Sequence, residues 1–257
     1  MIKIDSRRHE NYELLNMIGY GLAKFNDDFV KQFGFESKTN FYQYMVKLGV
    51  GDTIGTIKNR QDMLDPFFDN GRRGWWQKKN QYISRKLFID SLFGDEDVIS
   101  FAKIVKMYLQ KDFKIDIKEE VKISPLLKSR FKKLQETGQE AEFYFLHNFN
   151  SIPLLKGCVI EDARIFGDGY DFQMHKGSDY LLAEVKGVKL ETGAIRMTRN
   201  EFEKAREYKN EYLLVVVSNL IETPKITTIE NPINQLKLKE NKVFSTQINY
   251  HSESIKW

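Results

Sequence analysis

One cysteine, five prolines and four histidines among 257 residues exclude several chemistries before any motif is sought. Cys158 has no partner for an internal disulfide, and with no ligand-spaced companion it builds no structural zinc site. His9, His147, His175 and His251 stand far apart, at neither metal nor triad spacing. No apolar run reaches the roughly 18 residues of a membrane span. Met1–Arg8 lacks the apolar segment of a signal peptide, so the expectation is a cytoplasmic protein without membrane contact. There is no Gly-x-Ser-x-Gly elbow and no helicase or NTPase motif. Gly49-Val50-Gly51-Asp52-Thr53-Ile54-Gly55 lacks the lysine and the spacing of a phosphate-binding turn, so it reads as a plain loop and no nucleotide cofactor is expected.

What is present is 41% hydrophobic and 30% charged, enough to bury one or two cores. The net charge of +4 conceals an asymmetry. Residues 1–135 hold 25 Lys and Arg against 18 Asp and Glu, whereas residues 136–257 hold 15 against 18. A basic half is a contact surface for a polyanion, or simply a solvated surface. Its periodicity is helical: Leu14, Leu15, Ile18, Leu22, Phe25, Phe29 and Phe33 predict a helix over Tyr12–Phe33. Further helices are expected over Phe41–Leu48, Tyr82–Phe93 and Asp97–Leu109, the last capped by Asp95 or Asp97. Lys111–Ile123 shifts to alternating Phe113, Ile115 and Ile117, which reads as a strand or extended linker. These patterns predict an α+β chain with a mainly helical domain over 1–120 and a second domain over 121–257.

Lys58–Lys86 is the most basic stretch, with eight basic residues against three acidic ones. Within it, Gly71-Arg72-Arg73-Gly74-Trp75-Trp76-Gln77-Lys78-Lys79 offers residues suited to double-stranded DNA. Arginine pairs bidentately with phosphate or guanine, lysine holds phosphate, and Trp or Gln can stack on or hydrogen-bond a base. The competing reading is a turn whose tryptophans anchor it to the core while its charges face water.

The richest signal lies further on, in Gly169-Tyr170-Asp171-Phe172 and Leu181-Leu182-Ala183-Glu184-Val185-Lys186-Gly187. The runs Ile165–Met174 and Tyr180–Val188 are strand-like, and His175-Lys176-Gly177-Ser178 between them is a hairpin turn. Alternation puts Leu182, Glu184 and Lys186 on one face of their strand. A turn with an even number of residues places Asp171 opposite Leu182, on that same face and diagonal to Glu184. An odd turn would separate the two acids. Mg²⁺ is held by one or two carboxylates and completes its shell with waters and phosphate oxygens. Asp171 and Glu184 are the candidate ligands, and the carbonyl of Val185 is a further one. Lys186 would orient the attacking water or neutralise developing charge. Charged pairs on a solvated strand give the same spacing, but here apolar runs flank both strands, and buried charges need partners or a metal.

Glu184-Val185-Lys186-Gly187, then Ile195–Ala205, the Tyr212–Val217 strand and the Ile226–Pro232 segment together resemble the nuclease-like domain at the C-terminus of the plant NO VEIN protein. That domain recurs in bacterial restriction and defence proteins and is similar to the wider PD-(D/E)XK nuclease superfamily. The resemblance covers about residues 130–235. It implies a restriction-endonuclease-like mixed sheet flanked by helices and a Mg²⁺-dependent DNA endonuclease, sequence-specific and type II-like, acting as a homodimer. It also implies an acid on the helix before the sheet, in Gly138-Gln139-Glu140-Ala141-Glu142. Glu142 is the first choice because it falls on one stripe with Phe145, Leu146 and Phe149, and Glu140 the second. Tyr170 stands where the superfamily has proline. Thr198-Arg199-Asn200-Glu201 reads as a capping box at a helix start. Two other readings remain: a modification-dependent endonuclease, and a non-catalytic DNA-binding module on a nuclease fold.

Overall fold

In the computed structural model, residues 11–113, 125, 129, 130, 133, 138–242 and 248–253 are described. The chain is an α+β protein, with a cluster of helices followed by a mixed sheet packed between helices.

Helix α1, Tyr12–Phe25, is buried over most of its surface, with Glu13 and Lys24 at its two ends. Two glycines let neighbours approach it. A Cβ on Gly19 would meet the Arg60 backbone at 2.7 Å, and one on Gly21 the Phe29 ring at 2.6 Å. The predicted Tyr12–Phe33 helix is in fact two. Asn26, at φ 54°, turns the chain left-handed before α2, Asp27–Lys31. The break folds Phe29 and Phe33 back onto Phe41 of α3, Lys38–Lys47, where their rings meet edge to face.

Thr53 caps α4, Ile54–Leu64, by accepting the Thr56 N–H. Gly55, expected in a loop, therefore lies in a first helical turn. Next come α5, Lys79–Phe93, and α6, Val98–Phe113, whose start is held by Asp97 Oδ1 accepting the Ser100 N–H at 2.7 Å. Lys111–Phe113 finish α6 and are not extended. The rest of the expected linker, 114–123, lies outside the described residues. Leu14 through Leu109 contribute one continuous apolar cluster.

After α7, Gly138–Asn148, five strands form a sheet in sequence order: β1 Val159–Asp162, β2 Phe172–Lys176, β3 Asp179–Gly187, β4 Tyr212–Ser218 and β5 Lys225–Glu230. Neighbours are antiparallel except β3 and β4, whose parallel pairing requires a crossover. That crossover contains α8, Arg199–Tyr208, and a last short helix, α9, spans Pro232–Gln235. One face of the sheet packs Phe172, Met174, Ala183, Val185 and Val215 under Phe145 and Phe149 of α7 and its following turn. The other packs Leu182 and Tyr212 against Ala205 of α8. A second apolar cluster thus sits in the sheet half, separate from that of the helices.

The two halves meet through buried polar groups. Arg85 of α5 is 2% exposed. Its Nε donates to Tyr12 Oη at 2.9 Å and to Glu140 Oε1 of α7 at 3.3 Å, and its Nη2 reaches the Leu220 and Glu222 carbonyls. Tyr12 itself donates to Glu140 at 2.9 Å. Glu13 pairs with Lys189, just beyond β3, at 2.7 Å. Among the described residues no helix is long and apolar enough to cross a membrane.

Candidate active site

The β2–β3 hairpin turns on two residues, Gly177 and Ser178, with Gly177 at φ 66°. The even turn keeps Asp171 and Glu184 on one face, as expected, but the register differs by two from the expected one. Phe172 lies opposite Ala183, so one further step brings Asp171 to Glu184 and not to Leu182. The strand predicted from Ile165 starts only at Phe172, and residues 163–171 form a loop instead.

Asp171 is fastened on either side of Glu184. Its N–H donates to Ala183 O at 2.9 Å, and its Oδ2 accepts the Val185 N–H at 2.8 Å. The carboxylate thus takes the place of a backbone acceptor where β2 has ended. Phe172 points toward α7, so its predecessor turns to the face of Glu184. Val185 commits its N–H to Asp171 and its side chain to the α7 face.

Glu184 is 5% exposed. Burial raises its pKa, and the nearby Asp171 charge raises it further, while Lys186 works the other way. Burial raises Asp171 too, partly offset by the Val185 N–H, with Glu142 adding to the rise. Lys186 Nζ contacts Glu184 Oε1 at 2.5 Å and Glu201 Oε2 at 2.7 Å. Burial opposes its charge, but the two carboxylates prevail and raise its pKa.

The two upstream glutamates go to different places. Glu140 is buried against Arg85 and Tyr12 at the junction of the halves. Glu142 lies on the side where its charge acts on Asp171, and its Oε2 accepts Arg164 Nη1 at 2.7 Å. The buried stripe of α7 is Glu140, Ala141, Tyr144 and Phe145, so Glu142 borders the core and does not belong to it.

Three neighbours carry no local signal that marks them as site residues in the sequence. Arg164 bridges Glu142 and Asp162 and lies 5.1 Å over the Phe172 ring. Tyr212 is buried, donates to Gly169 O at 2.8 Å, and has its pKa raised by burial and by Glu184, Glu201 and Asp171. Glu201 closes the expected capping box with Thr198, and the same Oε2 that accepts the Thr198 N–H also meets Lys186. A capping box signals only the helix start. Its reach to β3 comes from the crossover.

The donor set suits a hard divalent cation. Among the described residues no group of three or more His, Cys, Asp or Glu is arranged to hold a metal. Two carboxylates that repel each other in a half-dry site are nonetheless what Mg²⁺ uses, with water and phosphate filling its remaining positions.

The expected DNA-contacting residues lie elsewhere, between α4 and α5 and at the first residue of α5. Arg72 is internally committed: Nε to Asp65 and Nη2 to Asp62, both at 2.7 Å, with the Asp65 side chain fully buried. It clamps its own loop and stays exposed at the surface. Trp75 donates its backbone N–H to Asp62 O and leans on Tyr82, with Lys78 Nζ 5.3 Å over its ring. Lys79 Nζ stands 5.4 Å over the Phe67 ring. Arg73, Trp76, Gln77, Lys78 and Lys79 are exposed.

No curated protein and no solved structure matches the chain. Residues 141–229, from the first turns of α7 to the end of β5 and so including Glu142, Asp171, Glu184, Lys186 and Glu201, match the family described as Protein NO VEIN, C-terminal.

Proposed function

We propose that this chain hydrolyses DNA phosphodiester bonds with Mg²⁺, as a restriction endonuclease of the PD-(D/E)XK type acting on double-stranded DNA as a homodimer. The observation that supports this reading most is the fastening of Asp171 on both neighbours of Glu184, with Lys186 two residues on and on the same face. Charges so placed are costly without a cation to hold. When bound, Mg²⁺ supplies Lewis-acid polarisation of the phosphate and a more acidic water.

The chain's own residues then have distinct tasks. Asp171 and Glu184 present one carboxylate each, and the Val185 N–H fixes the direction of the first. The carbonyl of Val185 is a candidate third donor. Lys186 carries a positive charge that Glu184 and Glu201 maintain, available to a developing negative charge or to the attacking water. Glu142 adds an acid from the α7 side, oriented by Arg164. In the helical half, Arg73, Trp76, Gln77, Lys78 and Lys79 supply an exposed basic and aromatic surface for duplex DNA.

The test is incubation of supercoiled plasmid and linear duplex with the full chain and Mg²⁺, beside Glu184→Gln. Cleavage by the wild type and none by the variant is the expected result. Equal cleavage by both refutes the site, and no cleavage by either, with DNA still bound, favours a binding module.

A further inference from the structure

Between β1 and β2 the chain exposes two adjacent apolar side chains, Ile165 at 85% and Phe166 at 66%. Isolated apolar residues on a surface need no explanation, but this pair sits on a loop held at several points. On one side Ala163 is buried and donates its N–H to Asp171 O at 2.9 Å, while Phe166 N–H returns to Ala163 O at 3.0 Å. Arg164, between them, is bound to Asp162 and Glu142 and stacked over Phe172. On the other side Asn200 of α8 donates to Gly167 O at 2.7 Å, and Tyr212 to Gly169 O at 2.8 Å. Gly169, at φ 89°, lies so close to α8 that a Cβ there would meet Asn200 O at 2.9 Å. The tip is therefore presented in a fixed direction, and the strand it feeds begins just after Asp171.

Resting on the nuclease reading above, we propose that Ile165 and Phe166 form an apolar wedge that stacks against or between bases next to the phosphodiester held at Asp171 and Glu184. Two features favour a polynucleotide over a second copy of the chain. Two side chains offer far less than the roughly 800 Å² per partner of a stable protein interface. Next to the Asn200 that holds Gly167 stands Arg199, with Arg196 three residues earlier in the chain, both exposed and without an ion-pair partner among the described residues. Asp168, exposed in the same loop, offsets one of these charges. Apolar side chains wedged between base steps, with arginines on the neighbouring phosphates, are a recurrent way of gripping and bending duplex DNA. A base has a π-face whatever its identity, so the wedge would add affinity and distortion with little sequence preference.

The experiment compares the wild type, Phe166→Ala and Phe166→Trp on a duplex doped with 2-aminopurine, with Ca²⁺ replacing Mg²⁺ for binding and Mg²⁺ for cleavage. Phe166→Ala should bind about ten-fold or more weakly, and Phe166→Trp should bind like the wild type, its emission quenched and that of 2-aminopurine altered on binding. If the wild type cleaves and Phe166→Ala binds and cleaves as well at every concentration, the wedge is refuted and the nuclease reading stands. If the wild type neither binds nor cleaves, both fall. Sedimentation that shows Phe166→Ala losing a dimer, with DNA binding unchanged per protomer, refutes the wedge in favour of a self-contact.

Discussion

Glu201 in the first turn of α8 meets Lys186 of β3 at 2.7 Å, across the crossover that makes β3 and β4 parallel. One carboxylate thus both caps a helix and holds the lysine of the candidate site. Glu201→Gln can still serve the capping box, since glutamine is accepted there, but it removes the negative charge from Lys186. The expected outcome is a stability loss of about 1 kcal/mol or less together with a clear fall in kcat and a changed pH profile. Denaturant unfolding and steady-state cleavage separate the two. If Glu201→Gln unfolds and cleaves like the wild type while Glu201→Ala does not, the cap is the whole of the role.

Asp171→Asn and Glu184→Gln should each abolish cleavage while leaving DNA binding intact. Both carboxylates have pKa values raised by burial and by neighbouring negative charge. The sign follows: the folded chain binds these protons more tightly than the unfolded one, so the pair favours folding at low pH and loses that contribution as pH rises through the raised values. From about pH 5 to about pH 8.5 the metal-free wild type should lose melting temperature relative to the double variant, and Mg²⁺ should restore more of it at the higher pH. A Mg²⁺ effect independent of pH, or present in the double variant, would remove these residues as ligands.

The two glutamates of α7 should fail in different ways. Glu140→Gln leaves the buried Arg85 charge without its acid and should cost about 3–5 kcal/mol of stability. Glu142→Gln, half-buried beside Arg164, should lower cleavage with little change in stability. Thermal melts and plasmid cleavage on both variants check this. Full cleavage by Glu142→Gln would mean that this acid is not tied to the site.

Arg72 and Arg73 should also separate. Arg72→Ala opens a paired loop and should lower stability at any salt concentration. Arg73→Ala, with Lys78→Ala and Lys79→Ala, should weaken DNA binding instead. Removing a side chain that holds one phosphate should reduce the slope of log K against log salt by about 0.9 on duplex DNA. A slope unchanged in all three would place the DNA surface outside this loop.

Periodicity in the sequence specified much of this. The stripes over Tyr12–Phe33, Phe41–Leu48, Tyr82–Phe93 and Asp97–Leu109 marked helical segments, because burying an apolar face needs only spacing along one element, whereas α4, with few apolar residues to mark it, was not read. The alternation in Leu181–Lys186 put Glu184 and Lys186 together, because side chains on a strand can point only two ways. An even turn put Asp171 with them. The expected register, with Asp171 opposite Leu182, was off by two, since moving an even turn by one residue along the chain changes the pairing by two and keeps the same alternation, and only the Gly177-Ser178 turn set Asp171 beside Glu184. Asn26 broke a stripe that read as continuous, because a left-handed residue changes chain direction without changing the apolar pattern. The partners of Glu140 and Arg72, and the contact of Glu201 with Lys186, were decided by tertiary structure alone. Each is a charged side chain whose counterpart comes from another element, and no local spacing records which element packs against which.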